Sequence, residues 1–475
     1  MKDPMDIQGP ARERPVLERR RAGVLLHPTS LPSGTLGADA VRFLDFLRGE
    51  GFSAWQMLPL GPVGPNGSPY SSDSAFAGNP RLIPAEMHNS AVDDSELRQF
   101  RWREANWLEG YALFTAIRQT QGGSPWWQWP LPLRQRDPDA LNDFARNHCA
   151  ALGQCIRQQY LFNQAWLSLR SAAQRRGILL YGDLPMFVVA DSADVWTRPQ
   201  EFRLDSHGQA THVAGVPPDA FTELGQCWDN PVFDWGHMQA NNFDWWRDRL
   251  AHECRRFDLL RWDHFRGLVA TWEIPALPGR TAADGQWRKV PGKALLQRMT
   301  MELGPLPLVA ENLGIITPEV EALRHEFGLP GMHVLQFAFD GSEDNPHLPR
   351  NHEEQGVAYT GTHDNDTSLG WFASLSPENR QQVWDVLGST HHSMPDALIQ
   401  AALDSICRLA IIPLQDLLRL GSEARMNTPG RAQGQWSWKF SWQQLAASGA
   451  ATGSTIGAGK RAGHWRHIVS ESGRD

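Results

Sequence analysis

Three carboxylates, each just past a short apolar run, could do chemistry together: Asp263 in LLRWDHFRG, Glu311 in LVAEN and Asp364 in YTGTHDND. A charged side chain that ends a buried parallel strand stands where a barrel meets its substrate. Glycoside cleavage needs two carboxyl groups in opposite protonation states at one pH, so their surroundings must differ. Arg261 lies two residues before Asp263, on the same side of a strand, and a guanidinium there favours the ionised form that suits a nucleophile. Glu311 follows Leu308, Val309 and Ala310, an apolar setting that suits a raised-pKa acid able to protonate a leaving oxygen. Asp364, beside His363 in a polar loop, suits hydrogen bonding to sugar hydroxyls and stabilisation of developing positive charge. If the first two face each other at about 5–5.5 Å, configuration is retained through a covalent glycosyl intermediate.

Taken singly, Arg261 and Asp263 read as an ion pair, Glu311 as a helix-start residue and the segment after His363 as an Asx-rich turn. Their joint occurrence after the fourth, fifth and seventh strand candidates favours a site. His264, His363, Asp364 and Asp366 also form a metal-capable set. His27 stands alone after the first strand candidate, with no His-x-His, so neither a metal nor another cofactor is expected.

The elements that must position these groups are apolar or β-branched runs bounded by turn residues. They begin near Gly23, Ala54, Ile178, Leu259, Pro307, Met332, Val357 and Leu409. Eight such strands with helical patterns between them predict an α/β fold, a (β/α)8 TIM barrel with helical insertions around its C-terminal face. Val41, Leu44 and Leu47 mark one helix; Ile156, Tyr160, Trp166 and Leu169 mark another. Thr317 and Pro318 open a third, which stops at Gly328. From Ala54 to Ile178 the spacing far exceeds the roughly 30 residues of a βαβ unit. A Trp-rich subdomain is therefore expected at about 85–155, within a barrel domain spanning 22–447. Residues 1–21 read as a flexible arm, 448–475 as an atypical, flexible tail, and the polar stretch 340–356 is too short for a full helix in unit six.

With 475 residues, 41% hydrophobic and 21% charged, the chain is of the globular class. A net charge of −8 excludes the basic footprint of a nucleic-acid binder. No apolar run spans a bilayer and no signal peptide is evident, so a cytoplasmic protein is expected. The five cysteines contain no Cys-x-x-Cys pair and read as buried free thiols. Against 5 Tyr stand 21 Trp, and indole faces stack on sugar rings as well as filling cores.

In order along the chain come HPTSLPS, SPYSSDSAFAGNP, GDLPMFVVADSADVW, AGVPPD, GQCWDNP, RWDHFRG, VAENLG, YTGTHDND and GSEARMNTPG. With these motifs the chain resembles the amylomaltases, the 4-α-glucanotransferases of the α-amylase-like barrel superfamily, from about Ala22 to Trp438. The resemblance implies Asp263 as nucleophile, Glu311 as acid/base and Asp364 as transition-state stabiliser. It further implies donor-sugar contacts from Tyr70, Asp183, Arg261 and His363, and contacts at further subsites from Ser68, Gln226, Trp228, Asp340 and Asn427. Maltooligosaccharides and glucose would be the partners, with the loop carrying Trp228 as a candidate lid that excludes water.

Three departures accompany the resemblance. Asn312 stands where the family usually has Asp, which predicts a smaller like-charge push on Glu311. Trp262 replaces an aliphatic residue, with overpacking of the outer layer as the risk. After Trp442 the family closes with a helix, whereas this chain enters SGAATGSTIGAG and a basic tail containing Lys460, Arg461 and Arg466. The alternative readings are an α-glucan hydrolase and a catalytically weakened glucan-binding homologue.

Overall fold

A computed structural model describes residues 17–64, 66–218, 224–388, 393–431, 434–448 and 464–474. The arm before Leu17, most of the Gly/Ala/Ser stretch with Lys460 and Arg461, and Asp219 of AGVPPD lie outside the described residues.

The strands begin with β1 (Arg21–Leu25), β2 (Ala54–Gln56), β3 (Leu179–Leu184), β4 (His212–Val216), β5 (Gln226–Pro231) and β6 (Leu259–Trp262). They continue with β7 (Ala270–Pro275), β8 (Gln286–Lys289), β9 (Leu308–Ala310), β10 (Gly331–Val334), β11 (Gly356–Tyr359) and β12 (Leu409–Pro413). Eight of them form one parallel sheet in the order β10-β11-β12-β1-β2-β3-β6-β9, and these are the apolar runs recognised in the sequence. The two end strands, β9 and β10, meet without a ladder. Ala310 N–H donates to the Pro330 carbonyl (2.8 Å) and Met332 N–H to the Asn312 side-chain oxygen (2.8 Å), which brings the sheet round into a nearly closed (β/α)8 barrel.

Strand alternation sorts the side chains. Leu259 joins Leu25, Tyr181, Val309, Met332, Tyr359 and Ile411 in an inner core, while Leu260 and Trp262 join the outer one beneath the helices. Trp262 is fully buried and stacks on Trp246 at 5.0 Å and 23°, so the outer layer accommodates the indole. The helix Ala38–Gly49 buries Ala40, Phe43, Leu44 and Leu47. Cys149–Arg175 leads into β3, and Pro318–Glu326 follows Thr317 and ends before Gly328 at φ +61°. Between β10 and β11 stand only the single turns Leu335–Phe337 and Pro349–Asn351.

The helices Asp94–Arg103, Leu108–Thr120 and Pro138–Asn147 fill the long β2–β3 connection. The Trp126 indole there donates to the Ala190 carbonyl beyond β3 (2.9 Å), which ties the insertion to the barrel mouth. A second, antiparallel sheet has the order β5-β4-β7-β8. The segment expected as a loop around Trp228 is thus β5, an edge strand paired to β4 through an irregular register.

Other expectations need correction. The described end of the tail is no flexible segment: His464–Glu471 is a helix with Trp465 and Val469 buried. Its apolar residues recur at helical spacing and lie against the end of Ala38–Gly49, where Trp465 N–H donates to Glu50 (3.0 Å) and Arg466 to the Gly49 and Arg48 carbonyls. Gly51 lies under that helix at φ +84°, a left-handed backbone that favours glycine. The arm ends earlier than residue 21, because Leu17 is buried and Arg20 donates to the Leu403, Ser405 and Ser472 carbonyls. Cys155 and Cys407 are buried free thiols, but Cys149 and Cys227 are exposed. Among the described residues no helix is long and apolar enough to cross a membrane.

Candidate active site

Because Arg261 faces inward on β6, its guanidinium enters the barrel mouth. It donates to both oxygens of Asp183 at the end of β3 (3.0 and 2.9 Å) and meets Asp263 Oδ1 at 2.8 Å. Asp183 is fully buried, and burial pushes its carboxyl up. Arg261 Nη1, shared between the two oxygens, and the Tyr70 hydroxyl, which donates to one of them at 2.8 Å, are partners for the carboxylate form. The Tyr70 oxygen also lies 2.9 Å from His363 Nε2. Since the single Tyr70 proton goes to Asp183, His363 must carry its proton on Nε2 and donate. Burial lowers the His363 pKa and keeps the ring neutral, and it stacks on Tyr70 at 5.3 Å and 18°.

Glu311 leaves β9 with the inward parity of Val309. Its Oε2 accepts the His264 N–H (2.7 Å) and its Oε1 the Leu313 N–H (2.9 Å). His264 reaches that position through a left-handed backbone, φ 53° and ψ 51°. Burial first, and then the negative charge of Asp263, push the Glu311 carboxyl up from 4.5 to about 7, against the pull of Arg261 and the two N–H groups. The same parity sends Asn312 outward. Its amide donates to Glu321 Oε1 (2.9 Å) on the helix Pro318–Glu326, and its oxygen accepts Met332 N–H (2.8 Å). The expected effect of Asn312 on Glu311 therefore has no geometric basis: Asn312 belongs to the barrel seam.

Asp364 follows β11 and a short turn, with its side chain 44% exposed. Asn427 donates to its Oδ1 (2.6 Å), His363 Nε2 lies 3.4 Å from its Oδ2, and Arg425 donates to its carbonyl (2.6 Å). Ser68 sits behind Tyr70, accepting the Tyr70 N–H at 3.3 Å. Trp228 lies edge-on to His264 at 4.9 Å, and its indole N–H donates to Gln226 (3.0 Å). Asp340 is exposed and accepts the Ser342 N–H (2.9 Å), without a contact to the carboxylates among the described residues. A different group, Glu321, His325 and Glu353, brings its ligand atoms within 4.8 Å of one another. Arg324 already bonds all three there, so a guanidinium occupies the charge-balancing position a cation would need.

The family model described as 4-alpha-glucanotransferase matches residues 25–94 and 85–445. The chain belongs to the 4-alpha-glucanotransferase family. It is 44% identical to the 4-alpha-glucanotransferase of Thermus thermophilus over 89% of this chain and 95% of that one. It is 41% identical to that of Synechocystis sp. over 90% and 95%. Its fold matches the amylomaltase from Streptococcus agalactiae in complex with acarbose with a TM-score of 0.89 at 31% identity, covering 96% of this chain and all of the other.

For a 4-alpha-glucanotransferase, the residue types alone revealed the ionisable groups of the site but not the backbone N–H groups of His264 and Leu313 that grip Glu311. No side-chain signal encodes those. The ring of Phe187, 6.1 Å from Trp228 and 6.3 Å from His264, also escaped notice, because GDLPMFVVAD reads as a plain apolar run.

Proposed function

We propose that the chain transfers 4-α-glucanosyl segments between maltooligosaccharides, or to glucose, by retaining double displacement in the cytoplasm. Asp263 attacks the anomeric carbon as the C1–O bond breaks, and Glu311 gives its proton to the departing 4-oxygen. The glucanosyl group is then held as an ester on Asp263. Glu311, now a carboxylate, takes the proton from the 4-hydroxyl of an acceptor, whose oxygen forms the new C1–O bond as Asp263 leaves. Asp364 stabilises the positive charge of both transition states. Tyr70, Asp183, Arg261 and His363 seat the donor sugar, Gln226, Trp228 and Asn427 serve neighbouring subsites, Ser68 acts through Tyr70, and Asp340 is the outermost contact.

One observation carries the reading: the Glu311 carboxyl is pushed up to about 7, in part by the charge of Asp263, which itself pairs with Arg261 at 2.8 Å. That gives the acid and the nucleophile their opposite protonation states near neutral pH. The test uses α-maltotriosyl fluoride with a Glu311→Gln variant. Fluoride departs without acid help, and no base remains to release the ester. Mass spectrometry of the digested protein should find a maltotriosyl increment on the peptide containing Asp263. Labelling of another carboxylate, or none, contradicts the assignment.

A further inference from the structure

Trp436 takes no part in the roles assigned so far, yet its backbone lies at φ +62°. That left-handed region favours glycine, and a bulky aromatic residue persists there only where its surroundings hold it. The holding contacts are visible. Trp436 N–H donates to the Met426 carbonyl (2.9 Å), and Gln435 Oε1 accepts the Thr428 N–H (2.6 Å), so the segment folds back on itself. The strained turn sets the indole 6.0 Å from the Tyr70 ring and 6.0 Å from the His363 ring. Trp438, two residues on, packs instead against the outer core, while Trp436 packs against the inner one.

The position matters because the Tyr70 hydroxyl is held at 2.8 Å from Asp183 and 2.9 Å from His363 by a ring that must not swing. The first contact runs on from Asp183 through Arg261 to Asp263, and the second from His363 towards Asp364, 3.4 Å from its Nε2. From the same segment, Arg425 and Asn427 fix Asp364. One piece of chain thus reaches the stabilising carboxylate and the rings beside the nucleophile.

We propose that Trp436 is a positioning residue for the transfer reaction, its indole bracing the Tyr70–His363 pair in register with Asp263 while Asn427 sets Asp364. This rests on the assignment of those residues to the donor site. A mere plug would contribute stability alone; a brace contributes to the rate of the bond-breaking step.

The test compares Trp436→Ala, Trp436→Phe and Trp438→Ala in the full chain, reading kcat and KM for glucose release from maltotriose together with Tm. Trp436→Ala should lower kcat by about 10- to 100-fold, as small misplacements of reacting groups do, with KM changing far less. Trp436→Phe should recover most of the loss. Trp438→Ala should lower Tm and keep kcat below its own transition. Wild-type kcat in Trp436→Ala, or a loss no larger than its loss of folded protein, overturns the proposal. If the wild type releases glucose without longer products, the transfer reading fails, and the same cleavage rates still decide the role of Trp436.

Discussion

Glu311 carries the most specific chemistry of any single residue. A carboxyl pushed up to about 7 is half protonated at neutral pH, able to give a proton in one step and take it back in the next. The alkaline limb of kcat/KM should therefore fall with a midpoint near pH 7 in a pH–rate profile. Glu311→Gln should cut kcat for maltooligosaccharides by about 10²–10⁴-fold. The same residue sets a stability trend. The folded carboxyl holds its proton more tightly than the unfolded one, which titrates at 4.5, so the native state loses stability as pH rises from about 4.5 to about 7. Gln removes that loss, and the variant should melt at a higher temperature than the wild type at pH 8 but show no such gain at pH 4. The types and spacing of Arg261, Asp263 and Glu311 made this polarity legible, because alternation along a strand says which side chains share a face. The same parity, carried one residue further, sends Asn312 away from Glu311. The sequence-based expectation missed that by comparing residue types without comparing faces.

At the scale of elements, the seam between β9 and β10 is the informative join. A three-residue strand offers little ladder, and the Asn312 amide supplies both an acceptor for Met332 N–H and a donor for Glu321. An Asp there would set a second carboxylate 2.9 Å from Glu321. Asn312→Ala leaves a backbone N–H without its acceptor and should cost about 1–3 kcal/mol of stability by denaturant unfolding. The alkaline limb of kcat/KM should stay where it was; a shifted limb would reinstate contact between Asn312 and Glu311. The strands were legible as short apolar runs, and the helix Pro318–Glu326 by its Pro start and Gly stop. β5 was not, because Gln226–Pro231 is polar and alternates only weakly. Its partner β4 is near in sequence, with Val216 opposite Gln226, but the register shifts between Val213 and Gly215, and such an irregular pairing leaves no regular alternation to read.

Across the whole molecule, the two ends of the described chain are clasped together. Arg20 and Arg474 both donate to the Leu403 and Ser405 carbonyls, and Arg474 also to the Arg21 carbonyl (3.0 Å). The helix His464–Glu471 covers the outside of the barrel, away from the carboxylates, so it serves stability before chemistry. Trp465→Ala should cost about 3–5 kcal/mol in thermal or denaturant unfolding while kcat at low temperature stays near wild type. The Gly/Ala/Ser stretch before that helix hid it: low-complexity composition masked the Trp465, Ile468 and Val469 spacing that follows. The barrel, its mouth and the family motifs along it bear on one activity, and product analysis with maltotriose as sole substrate tests it most directly. Glucose together with a ladder of maltooligosaccharides longer than maltotriose is the expected result; glucose and maltose alone, with no longer chains, would contradict transfer.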